Sequence, residues 1–121
     1  MAYQSFEDLQ VWQRSVALAS EIVKKFYSKP YRSIHDQIQR SAISIPSNIA
    51  EGAERGGPKE FSQFLRYSQG STGELKTQII IAQKAEIIES DLAEKWLKES
   101  YEIAAMNRGL NRSISEDPSE Y

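Results

Sequence analysis

Apolar side chains recur at spacings of three and four along almost the whole chain, and nowhere do they alternate with polar ones. That period puts one apolar stripe on one side of an α-helix, and it argues against half-buried strands. Four such stretches follow one another. The first runs from about residue 6 to residue 28, with Leu9, Trp12, Val16, Ala19, Val23 and Phe26 as its stripe. Ser5 is placed to cap it, with Asp8 in the capping-box position. Lys29-Pro30 ends it, because a residue before proline avoids the α region. The second spans residues 34–55, follows Ser33, and buries Ile34, Ile38, Ala42, Ile45 and Ile49.

Pro46 interrupts this second pattern. Proline has no N–H, so the carbonyl of Ala42 loses its helical partner. Both a kinked continuous helix and a true break fit the residues; the spacing carried on from Ile45 to Ile49 favours the kink. Gly56-Gly57 stops the segment, and Pro58 opens the third, residues 58–86. Phe61, Leu65, Ser68, Thr72, Leu75, Ile79 and Ala82 share one of its faces. Its middle holds Gly70 and Gly73, which lower helix propensity. Small side chains there are expected to admit another helix closely, with a break as the alternative. The fourth segment, residues 91–111, starts after a Ser90 cap and turns Leu92, Trp96, Ile103, Met106 and Leu110 inward. Residues 113–121 are read as a frayed tail. Short connections between helices of similar length predict an antiparallel up-down-up-down four-helix bundle in one domain.

Composition narrows the function. The 121 residues contain 40% apolar and 26% charged residues, so one continuous core is within reach. There is no cysteine, which removes disulfides, thiolate metal sites and cysteine nucleophiles, and suits a reducing cytoplasm. The N-terminal residues lack the pattern of a secretory signal, and no run approaches the roughly 20 apolar residues that span a bilayer. The net charge is −2, yet residues 1–86 carry eleven Lys and Arg against nine Asp and Glu, while residues 87–121 carry four against eight. Any contact with nucleic acid therefore needs a local basic patch or a symmetric assembly that repeats one.

Catalytic signatures are missing. His35 is the only histidine, so a histidine triad or histidine metal site has no second member, and His35 is expected to face solvent. No Glu stands three residues before it, against the di-iron bundle pattern. No cofactor and no metal are expected, and no enzyme activity. What stands out is polar. Arg40, Ser44, Ser47 and Glu51 fall at spacings of three and four beside the Ile45/Ile49 stripe, with Asn48 among them; Glu60, Ser71 and Glu74 are their counterparts on the third segment. Two roles fit this seam. Its groups can hydrogen-bond between helices or subunits and set register, or they can form a ligand or nucleic-acid site. The basic residues Arg14, Lys24, Lys25, Arg55, Lys59 and Arg66 are spread over three helices. They are solubilising charges unless symmetry gathers them into a ring that touches phosphates.

The same residues carry a resemblance. Phe6-Glu7-Asp8-Leu9-Gln10-Val11-Trp12-Gln13, then Gln37 to Ala42, Ser44-Ile45-Pro46-Ser47-Asn48-Ile49-Ala50-Glu51-Gly52, Lys59-Glu60-Phe61 with Phe64-Leu65, and Gly70-Ser71 with Glu74-Leu75 match the S23 family in order. These are four-helix-bundle proteins encoded in intervening sequences of bacterial 23S rRNA genes. The chain departs from that pattern in its first loop, Tyr27 to Ile34, and at Ser68-Gln69, where the family tends to place a small and a basic residue. The resemblance implies a bundle that assembles into a homopentameric ring. It also implies kinship with the accessory variability proteins of diversity-generating retroelements, which bind RNA or DNA and a reverse transcriptase. On this reading the partners are other copies of the chain, RNA or DNA, and a reverse transcriptase or another protein encoded nearby, with no membrane. The alternative is an oligomeric protein-interaction scaffold that binds no nucleic acid.

Overall fold

The computed structural model describes residues 5–27 and 33–121. Four helices account for nearly all of them: α1 (Gln10–Phe26), α2 (Ser33–Arg55), α3 (Pro58–Lys84) and α4 (Ser90–Glu116), with 3-10 turns at Phe6–Asp8 and Pro118–Glu120. No strand occurs among the described residues. The helices form the antiparallel four-helix bundle that the periodicity predicts. The expected end of the first helix at Ser28, and Lys29-Pro30 beyond it, lie outside the described residues.

Ser5 does act as a cap, but on a different element. Its Oγ accepts from the Glu7 N–H at 3.1 Å and starts the short 3-10 turn. Leu9 is then extended, and α1 begins at Gln10. The face that α1 buries is also rotated from the predicted stripe. Val11, Ser15, Leu18, Ala19, Ile22 and Phe26 point inward, whereas Val16 and Val23 lie on the flank. Helix α1 carries apolar residues on two adjacent stripes, and spacing alone does not rank them.

Helix α2 is continuous through Pro46. Ala42, Ile45 and Ile49 are each at most 1% exposed, so core packing on both sides of the proline holds the helix across the lost hydrogen bond. Its end follows from backbone conformation. Gly56 and Gly57 have φ of +81° and +105°, a region that side chains disfavour, and Pro58 then opens α3.

Helix α3 buries all seven residues of its predicted face. It stops at Lys84, two residues short of the predicted bound. Glu86 has φ of +61°, the Ile87 N–H reaches the Ala82 carbonyl at 2.8 Å, and the Glu86 N–H reaches that of Gln83 at 3.0 Å. These bonds form a Schellman cap with a glutamate where glycine is usual. The glycines of α3 do not serve close packing inside the chain: a Cβ at Gly70 or Gly73 would meet nothing within 4 Å. The close approach occurs at Gly52 instead, where an added Cβ would lie 2.6 Å from the Phe64 Cβ and 3.3 Å from the Phe61 carbonyl oxygen. Helices α2 and α3 accordingly share the most extensive contact in the bundle.

Helix α4 is longer than predicted at both ends. Glu89 is the N-cap residue and Ser90 is already helical. At the other end the helix runs on to Glu116 with Ile114 buried. Tyr121 packs edge-on against Phe61 at 5.8 Å and its hydroxyl lies 3.1 Å from that of Ser113. The expected frayed tail is thus folded onto the core, because Ile114 and Tyr121 supply apolar surface that charge counting overlooks. Trp96 and Ile103 are fully buried as predicted, with Leu92, Met106 and Leu110 partly so. His35, expected in solvent, is half-buried and stacks on Phe26 at 4.8 Å.

Two substitutions separate these glycines. Gly52→Ala should lower stability by about 1–3 kcal/mol, since the extra methyl forces α2 and α3 apart. Gly109→Ala, in a helix with nothing within 4 Å of the new Cβ, should raise it by up to ~1 kcal/mol. Urea unfolding followed by circular dichroism measures both, and equal effects would contradict the packing described.

Candidate functional site

The polar seam of α2 and α3 is partly a helix–helix joint. Ser44 Oγ donates to Ser71 Oγ at 2.5 Å, and Ser68 Oγ donates to the Ile45 carbonyl at 3.0 Å. The other members act locally. Asn48 Nδ2 donates to the Ser44 carbonyl of its own helix at 2.8 Å. Glu51 pairs with Arg55 one turn on at 3.0 Å, and Arg55 extends to Glu60 at 3.4 Å while its guanidinium lies over the Phe64 ring at 4.8 Å. Ser47 is exposed. Arg40 and Glu74, also exposed, have no ion pair among the described residues. Within the chain, the serine bonds that cross between α2 and α3 are those of Ser44 with Ser71 and of Ser68 with the Ile45 carbonyl.

The six predicted basic residues are not brought together. Arg14 is committed to α4: its Nε donates to Glu99 at 2.9 Å, its Nη2 meets Glu99 and Glu102 at 2.5 Å each, and its Nη1 lies 3.5 Å from the Met106 sulfur. Hydrogen bonds from Arg14 to the two carboxylates push the Arg14 pKa further up, and the one to Glu102 pulls the pKa of that carboxyl down. Arg55 is held by Glu51 and Glu60 as described. Both arginines thus have carboxylate partners within the chain. Spacing on α1 gave no sign of this, because the partners sit 85 and more residues away.

Lys59 and Arg66 are different. They flank Ser62 on the side of α3 that faces α4, and Ser62 Oγ donates to Asn111 Oδ1 at 2.6 Å. From Asn111 the helical repeat places Arg108, Arg112 and Ser115 on the same outer side of α4. An open groove of about 430 Å³ lies between the two helices here, lined by Lys59, Ser62, Gln63, Arg66 and Ser115 among others. Arg66 Nη1 lies 3.4 Å from Ser62 Oγ. None of these four cations has a carboxylate partner among the described residues. Arg108 and Arg112 escaped the sequence reading because they sit in the acidic last third of the chain, where net charge hid them. Their i, i+4 spacing around Asn111 was the available signal. Lys24 and Lys25 lie elsewhere, at the end of α1.

The fold and this groove define a helical bundle with a cationic flank and no catalytic constellation among the described residues. The sequence model of the 23S rRNA-intervening sequence protein family matches residues 7–109, and the chain belongs to that family. Among solved structures, the chain is similar to a protein of unknown function from the S23 ribosomal protein family of Bacteroides thetaiotaomicron. The TM-score is 0.78 at 22% identity, over 84% of this chain and 97% of that one, a likeness of fold. No curated protein matches the chain. No helix among the described residues is long and apolar enough to cross a membrane.

The ion pairs predict a pH dependence. Glu21 bonds Lys95 at 3.1 Å and the Trp96 indole at 3.2 Å, which lowers its pKa, as Arg14 lowers that of Glu102. A carboxyl depressed in the folded state stabilises the fold above its unfolded pKa of about 4.3, and that contribution disappears as pH falls through the folded value. The urea midpoint should be flat from neutrality down to about pH 5, then fall. The double variant Glu21→Gln/Glu102→Gln should flatten that fall, and an unchanged pH profile would refute the assignment.

Proposed function

We propose that copies of this chain associate, in a ring of five by the resemblance, and that the assembly binds RNA or DNA along its phosphate backbone without catalysing a reaction. One observation carries this reading: Lys59 and Arg66 line one groove, Arg108 and Arg112 lie by helical repeat on the outer side of the neighbouring α4, and none of the four has a carboxylate partner among the described residues, whereas Arg14 and Arg55 do. Cations left unpaired around Ser62 and Asn111 suit phosphate oxygens, which read no sequence. Four charges per copy are weak alone, but symmetry repeats them. The family description, which refers to an intervening sequence of 23S rRNA, supports a link to RNA. The non-enzymatic part is supported by His35, which stacks in the bundle, and by displaced carboxylates that all sit in ion pairs near the surface.

A second reading, an oligomeric scaffold for a protein partner, draws on the apolar groove that α1 and α2 leave open. Pull-down from the native host separates the two, since nuclease digestion releases partners only under the first.

Gel-shift titration with a structured RNA at low salt tests the proposal directly. Lys59→Glu/Arg66→Glu and Arg108→Glu/Arg112→Glu should each weaken binding about tenfold or more, and affinity should fall steeply with added salt. Arg55→Gln, which removes an already neutralised charge, should leave it within about twofold. No binding at micromolar protein, or doubles that bind like the wild type, would end this reading.

A further inference from the structure

Two surfaces of the bundle have no partner among the described residues. One is concave. Val16, Ala19, Val23 and Tyr27 of α1 and Ile43 and Pro46 of α2 line a groove of about 450 Å³ whose wall is almost wholly apolar, with Lys24 on its rim. Ile43 is 47% exposed there, an unusual position for an isoleucine. The other is convex. Tyr67, Gly70, Glu74, Thr77 and Ile81 recur on α3 at spacings of three, four, three and four, and all are exposed. This is the seam pattern of a helix that packs on another, yet it faces directly away from the core. Tyr67 and Ile81 are 48% and 50% exposed.

We propose that the α1/α2 groove of one copy receives the outward ridge of α3 from the next copy, with Tyr67 and Ile81 as apolar anchors and Lys24 paired to Glu74. The inference rests on the reading that copies associate and is independent of nucleic-acid binding.

Three observations select a second copy as the occupant. The surfaces are complementary in shape, a ridge and a groove, and they are unlike, so they join head to tail. They are complementary in charge: Lys24 and Glu74 are both exposed and neither has an ion pair among the described residues. They also lie level along the bundle. The Ser44–Ser71 bond sets the middle of the groove, beside Ile43, level with the middle of the ridge. Lys24, just below the Phe26–His35 contact, and Glu74, one turn past Ser71, both fall between those two levels. A neighbour related by rotation about an axis parallel to the helices therefore brings ridge to groove with no shift along the axis, which is the condition for a closed ring rather than a filament.

Light scattering and native mass spectrometry of the full chain test this with two exposed positions, Ile43→Glu in the groove and Ile81→Glu on the ridge. The wild type should be larger than a dimer, and each variant should be monomeric with unchanged helical circular dichroism. Mixed in equal amounts, the two variants should form a 1:1 dimer, because the ridge intact in Ile43→Glu fits the groove intact in Ile81→Glu and the remaining faces are spoiled. Lys24→Glu or Glu74→Lys alone should loosen the assembly about tenfold, and the two together in one chain should restore it. A monomeric wild type at submillimolar concentration would overturn both this contact and the homo-oligomer reading. An assembled wild type with either isoleucine variant still assembled, or a mixture that stays monomeric, would overturn this contact alone.

Discussion

The close approach of α2 and α3 organises the rest of the bundle. Gly52 has no side chain where the Phe64 Cβ and the Phe61 carbonyl press in, and one turn or two away Ser68 and Ser44 bond across the same joint. Short polar groups let two backbones come nearer than branched side chains would, and their hydrogen bonds hold one register against sliding. That joint carries Pro46 without a break. It also fixes where Phe61 sits, and so where the C-terminal Tyr121 can pack. The remaining helices close over this pair.

Charge is distributed by the same geometry. A bundle of four antiparallel helices brings α1 against α4, so Arg14 meets Glu99 and Glu102, and Glu21 meets Lys95. These pairs are exposed or half-exposed and contribute modestly to stability, and they give Arg14 and Lys95 carboxylate partners within the chain. Among the described residues, the cations without an ion pair include Lys59 and Arg66 beside the α3/α4 groove, Arg108 and Arg112 on α4, Lys24 beside the apolar groove and Arg40 on α2. Net charge of −2 thus says little about what a given side of the molecule attracts.

Much of the fold was legible because helix period is local. The buried faces of α2 and α3 follow directly from Ile38, Ala42, Ile45, Ile49 and from Phe61 to Ala82, which form single unambiguous stripes. The face of α1 was not legible, since Val16 and Val23 obey the same spacing as Leu18 and Ile22 and only the neighbours decide which set is covered. The end of α4 was missed for a related reason: Ile114 and Tyr121 sit among acids, and nothing nearby in the chain announces that Phe61 will be within reach. Of the candidate basic site, Lys59 and Arg66 could be named from the residues, but their companions Arg108 and Arg112 could not be joined to them before α3 and α4 were side by side.

By itself, then, the sequence determined four amphipathic helices, their turns at Gly56-Gly57-Pro58 and their antiparallel order, because propensity, spacing and short connections act over a few residues. It also determined the absence of cysteine and of a second histidine, and with it the chemistry the chain lacks. Only the tertiary structure decided which charges are cancelled and which are left exposed, and which apolar stripe of α1 is core and which is surface. Those outcomes depend on contacts between residues up to 92 positions apart, and no local rule orders such pairs before the helices have packed.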